Sequence, residues 1–82
     1  MTPEELRADV PALDDVVYLN TGAGSPSPRR VVEAAEAVLE HHEYEAPAGE
    51  GTYHALFEAV ESARAAVADH LGTAPENAAL TH

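Results

Sequence analysis

Only two runs in this chain read as strands, and they stand far apart. Val16-Val17-Tyr18-Leu19 is β-branched and aromatic, and Ala78-Ala79-Leu80-Thr81 opens a second extended piece after a turn. A strand on its own satisfies half of its backbone groups at best, so a stable sheet needs neighbours that this chain does not offer. A helix leading into a strand with no partner reads as the opening of an α/β sheet completed elsewhere. The expected fold class is therefore mainly α, with three helices and short strand pieces near 16–19 and 78–81. The chain is expected to be the N-terminal segment of something larger.

The helices are bounded by strong local signals. Thr2 is a natural N-cap, Pro3 sits at the first helical position and Glu5 lies three residues after Thr2, which makes a capping box. Pro11 ends that helix. Asn20 to Pro26 is a loop on every signal, and the unit 1–28 thus holds a helix, a strand and a loop. Ser27 is placed to cap a second helix with Pro28 at its first position. This helix is expected over 28–46, ending near Pro47. Val31, Val32, Ala35, Val38, Leu39 and His42 form one stripe along it, and Glu33, Glu36, Glu40 and Glu43 the opposite one. Ala48 to Gly51 is a loop. Thr52 can cap a third helix over 52–71, stopped by Gly72, with Tyr53, Leu56, Phe57, Val60, Ala63, Val67 and Leu71 as its buried face. Glu61 and Arg64 can pair across one turn. Thr73 to Asn77 is a turn, and 78–82 is the start of a sheet.

The core material for these faces is thin. The chain has 82 residues, no Trp, one Phe and three Tyr. Much of its apolar content is alanine, which supports helices and fills little volume. The formal charge is −11, with fifteen acids against four bases, all four of them Arg. Such a surface repels nucleic acid and anionic membranes, which excludes both as partners. Like charges three or four apart on a helix cost a few tenths of a kcal/mol per pair in dilute buffer. At about 1 M salt the Debye length falls to roughly 3 Å and most of that cost disappears. Abundant Asp and Glu with Arg in place of Lys reads as a halophilic, haloarchaeal composition. There is no Cys, no signal peptide and no apolar run near the roughly 20 residues of a membrane span, so the expected location is cytoplasmic.

Among residues able to do chemistry, Gly22-Ala23-Gly24 stands out. Glycine permits backbone angles that bulky residues forbid and lets a ligand approach the main chain; an ordinary turn reads the same way. The five His make no HExxH pattern and no His pair at i,i+4, so no metal site is expected and the histidines read as structural or surface residues. No catalytic constellation is legible. Arg29 and Arg30 oppose the dipole at the start of their helix, with no partner evident in the sequence.

The stretch Tyr18-Leu19-Asn20-Thr21-Gly22-Ala23-Gly24-Ser25-Pro26-Ser27-Pro28 resembles the opening motif of class V aminotransferases. In cysteine desulfurases of that class it reads, in type, Tyr-Leu-Asp-Asn-Ala-Ala-Thr, with a proline opening the next helix at the same spacing. The order that follows also matches: a helix, a Gly-containing loop, a helix starting near Thr52-Tyr53-His54, a Pro-Glu-Asn turn and a strand ending in Thr81. Departures at Asn20, Thr21, Gly22 and Gly24 leave lyase-, epimerase- and transaminase-type branches open beside the desulfurases. The resemblance implies a parent of α/β fold-type I that uses pyridoxal phosphate on an amino-acid substrate as a homodimer. It places Gly22 and Ala23, with Gly24 as neighbour, beside the substrate carboxylate. It also implies a phosphate-binding turn just after His82 and a Schiff-base lysine further on. The chain has no lysine, so by itself it is expected neither to bind the cofactor nor to catalyse. The competing reading is a small acidic helical module that binds another protein by helix-in-groove contact, without an active site.

Overall fold

Thr2 begins the first helix as its spacing predicts. In the computed structural model, which describes residues 1–81, the Thr2 hydroxyl accepts from the Glu5 amide at 3.1 Å, and a Glu5 carboxylate oxygen accepts from the Thr2 amide at 2.9 Å. Both halves of the capping box are formed, and α1 runs Pro3–Ala8. Among the described residues there are two further α-helices, α2 over Arg29–Glu40 and α3 over Thr52–Leu71, and no strand. The chain divides into two units, Met1–Ala37 and the residues from Val38 onward.

In the first unit a 3₁₀ turn, Pro11–Leu13, follows α1. Val10, between them, is the buried apolar residue of this unit at 5% exposure. The expected strand at 16–19 is absent. Arg7 reaches across and donates to the carbonyls of Leu13 at 2.7 Å and Val16 at 2.8 Å, which ties the segment down one residue at a time. Leu19 is 90% exposed, and no segment among the described residues forms a ladder with this run. β-propensity describes fit to a pleated, half-buried surface; without that surface the run stays irregular.

The second helix starts one residue later than its proline suggests. The Pro28 carbonyl accepts from the amides of Val31 and Val32, so Pro28, and not Ser27, stands at the cap position. Arg29 and Arg30 do find a partner within the chain. The Arg29 amide donates to the Asp9 carbonyl at 2.6 Å, and the Arg30 guanidinium lies 3.6 Å from the Asp9 carboxylate. The pair offsets the unfavourable meeting of Arg with a helix N-terminus.

In the second unit the α-helical register stops at Glu40, short of the expected 46. His41–Glu45 forms a π turn, and Ala46–Ala48 a 3₁₀ turn. Pro47 explains the change. It has no amide hydrogen to give the carbonyl four residues back, and its ring collides with that carbonyl in an α-helix. A wider coil before it removes the clash. The α3 cap is Gly51 in place of Thr52, at φ 98°, with its carbonyl accepting from Ala55 and no side-chain cap. The far end follows expectation. Gly72 takes φ 72°, its amide donates to Asp69, and the Thr73 amide donates to Ala68 at 3.0 Å, which closes a Schellman motif. Arg64 pairs with Glu61 and donates to the Pro75 carbonyl at 2.6 Å, so the 3₁₀ turn Pro75–Asn77 is held against α3. Residues 78–81 form no strand; the last residue of the expected piece 78–82, His82, lies outside the described residues.

The face of α3 expected to be buried is exposed, and so is the apolar stripe of α2. Val31, Val32, Val38, Leu39, Leu56, Phe57, Val60, Val67 and Leu71 all face solvent, and Tyr53 is 77% exposed. The buried residues of the second unit are alanines: Ala46, Ala55 and Ala68. Two separate globules of half this mass would together expose about 5,700 Å², against 6623 Å² here. The chain leaves apolar surface uncovered however its two units are counted.

Candidate functional site

The loop 20–26 is organised by one oxygen. The Asn20 carbonyl accepts from the Ala23 amide at 3.0 Å, the Gly24 amide at 3.3 Å and the Tyr18 hydroxyl at 3.1 Å. The Tyr18 hydroxyl also lies against the Gly24 carbonyl. The tyrosine thus meets the loop at its start, Asn20, and again at Gly24. Gly22, Ala23 and Gly24 are all exposed.

The reason for glycine here differs from the one the sequence suggests. Neither Gly22 nor Gly24 takes a positive φ; among the described residues only Gly51 and Gly72 do. A Cβ built on Gly22 or Gly24 meets nothing within 4 Å. Backbone strain and crowding inside the chain therefore make no demand for glycine at either position. An ordinary exposed turn and a loop that leaves room for close approach from outside the chain both fit these angles and this open space.

The donors at the loop are unequal. The amides of Ala23 and Gly24 are spent on Asn20, whereas the Gly22 amide has no partner among the described residues. Of the three residues singled out by sequence, the structure leaves Gly22 as the one with a main-chain donor to offer. Beside the loop lies an open cavity of about 280 Å³. Its walls are apolar side chains such as Leu6, Val10 and Leu13, with Thr21 and Ser25 at the loop edge.

Away from this loop, four of the histidines are described and three of them meet carboxylates. His54 lies 3.1 Å from Glu58 one turn along α3, and His42 lies 3.8 Å from Glu43. Glu50, His54 and Glu58 bring donor atoms within 4.8 Å of one another on an exposed surface, where acidic groups commonly gather without an ion. His41 is held on both sides. Its Nδ1 is 3.2 Å from a Glu45 oxygen, and its Nε2 meets Glu50. Hydrogen bonding to Glu50 first, and to Glu45 second, raises its pKa above the ordinary 6.5. Sequence reading passed over His41 because its partners sit four and nine residues away across a turn. The spacing His41 to Glu45 was the only local signal available. The Arg64 guanidinium beside Glu61 holds that carboxyl below its ordinary range.

No helix among the described residues is long and apolar enough to cross a membrane. The chain is similar to a probable cysteine desulfurase of Methanothermobacter thermautotrophicus, with 32% identity over 84 residues. The alignment covers 99% of this chain and 20% of that protein, so the chain spans about a fifth of the relative's length. No family model matches the chain, and no solved structure matches it.

Proposed function

We propose that this chain is the N-terminal part of a pyridoxal-phosphate-dependent enzyme of the class V, cysteine desulfurase-like type that acts on an amino acid. Similarity along almost the whole chain to a probable cysteine desulfurase carries the reading. The uncovered apolar faces of α2 and α3 support it, because a longer protein would bury them. The glycine loop supports the local role: Gly22, Ala23 and Gly24 frame one wall of the substrate pocket, and the Gly22 amide is the donor nearest to hand for a substrate carboxylate. The parent enzyme is proposed to be a cytoplasmic homodimer, and the acid surplus of this chain suits a high-salt interior. Its branch is desulfurase, lyase, epimerase or transaminase.

In such an enzyme pyridoxal phosphate supplies an electron sink for the substrate's α-carbon. The residues of this chain do not by themselves fit that cofactor. There is no lysine to hold it, and the loop's other two amides are turned inward onto Asn20. No chemical step is routed through this chain; its part is to position and enclose.

Two measurements test the reading. The gene is expected to continue past residue 82 into a Thr-Thr turn within a few codons and a lysine in its later part. A stop codon there would favour the alternative, an acidic helical module whose exposed stripes dock on another protein. In the longer protein, Gly22→Val is expected to raise KM for the amino acid by about tenfold or more, the worth of one hydrogen bond to a charged group. An unchanged KM would remove Gly22 from the site.

A further inference from the structure

We propose that His41 is a proton-operated clasp that docks Glu50 in front of α3 when the imidazole is charged and releases it when the proton leaves. The geometry at His41 requires a charged ring. Each ring nitrogen faces a carboxylate, Nδ1 facing Glu45 and Nε2 facing Glu50. A neutral imidazole carries one N–H, so its bare nitrogen would present a lone pair to a carboxylate, and one of the two contacts would be repulsive. Only the imidazolium donates to both.

What the clasp holds matters because α3 starts with little else. Its cap residue, Gly51, has no side chain to satisfy the first amides and sits at φ 98°. Glu50 stands immediately before it, where a negative charge favours the helix N-terminus. Two backbone bonds brace the same turn: the Gly49 amide donates to the Glu45 carbonyl at 3.1 Å, and the Gly51 amide to the Ala46 carbonyl at 2.7 Å. Glu45 thus belongs to both the clasp and the brace. The charged groups around His41 are Glu45 on its own π turn and Glu50 from the loop; behind Glu50 stand His54 and Glu58 of α3. The surplus in this group is negative, which favours the proton on His41.

The sign follows from the raised value. The clasp is fully present below the ordinary histidine pKa of 6.5 and is lost as pH rises through the higher folded-state value. Both partners are half-exposed, so salt weakens the clasp as well.

The test is a pH titration of the 82-residue chain by two-dimensional NMR from about pH 5 to about pH 9, bracketing the histidine range, in low salt. The His41 ring is expected to lose its proton at a midpoint above 6.5. The amide resonances of Gly49, Glu50 and Gly51 should move with that same midpoint. Exchange protection of the first-turn amides of α3, corrected for the intrinsic pH dependence, should fall across it. Glu50→Gln should bring the His41 midpoint down and uncouple the glycine amides from it; Glu45→Gln should do so more weakly. A His41 midpoint at or below 6.5 in the unaltered chain overturns the proposal. Amide shifts at 49–51 that ignore His41, or a midpoint that Glu50→Gln leaves in place, overturn it equally.

Discussion

Two pairs of glycines separate where the backbone needs glycine from where it does not. Gly51 and Gly72 hold positive φ, at 98° and 72°. Gly72→Ala is expected to cost about 1 kcal/mol, because a Cβ is strained in the left-handed region. Gly51→Ala should cost about 2 kcal/mol, because φ 98° with ψ 146° is a conformation nearly confined to glycine. Gly22→Ala and Gly24→Ala should change stability by less than about 0.5 kcal/mol, since neither angle nor space resists a methyl group there. Urea titrations of the proposed longer protein, followed by its helical signal, check all four. Clear destabilisation by Gly22→Ala would mean that the chain itself needs that glycine, and the argument for close approach by a ligand would fall.

The elements obey local chemistry at their ends. The Thr2–Glu5 box starts α1, and Thr2→Ala is expected to cost about 1 kcal/mol of that helix, visible as faster amide exchange over residues 3–8. The Schellman closure at Gly72 stops α3. Between them, Pro47 shapes the end of α2. Pro47→Ala restores an amide hydrogen and removes the ring, so residues 41–46 are expected to pass from the π turn into continuous α-helix. Backbone chemical shifts would report the change, and a π turn that persisted would show that the His41 clasp, and not the proline, sets the register. Arg64 plays a smaller part, joining Glu61 and the Pro75 carbonyl at the surface, where solvent and salt screen such a pair.

At the scale of the whole molecule the dominant fact is uncovered apolar surface. The helices carry amphipathic stripes, yet the residues that reach full burial are small: Ala68 is 0% exposed and Ala46 1%. The 82-residue chain is expected to bind a hydrophobic dye and to unfold over a broad range in low salt. Its helical signal should rise with added KCl as the Glu33, Glu36, Glu40 and Glu43 repulsion is screened. The longer protein should lose most of the dye binding. A sharp, cooperative melt of the short chain in dilute buffer, without dye binding, would contradict this account.

The sequence by itself determined where the helices lie and how α1 and α3 end. The Thr2 capping box and the Gly72 stop act through bonds within a few residues, so their outcome is written locally, whereas the caps of α2 and α3 fell one residue away from Ser27 and Thr52. It also marked Gly22 to Gly24 as the loop of interest. Only the tertiary structure decided the rest. The runs at 16–19 and 78–81 carry strand-type residues, but a strand's hydrogen bonds belong to its neighbour, and none is present among the described residues. Helical periodicity marks which face of α2 or α3 is apolar; it says nothing of whether another surface covers it. Arg30 found Asp9, and His41 found Glu50, through contacts that chain spacing does not encode. At the loop, sequence named three residues alike, and folding distinguished them: two amides bond to Asn20, while the Gly22 amide has no partner among the described residues.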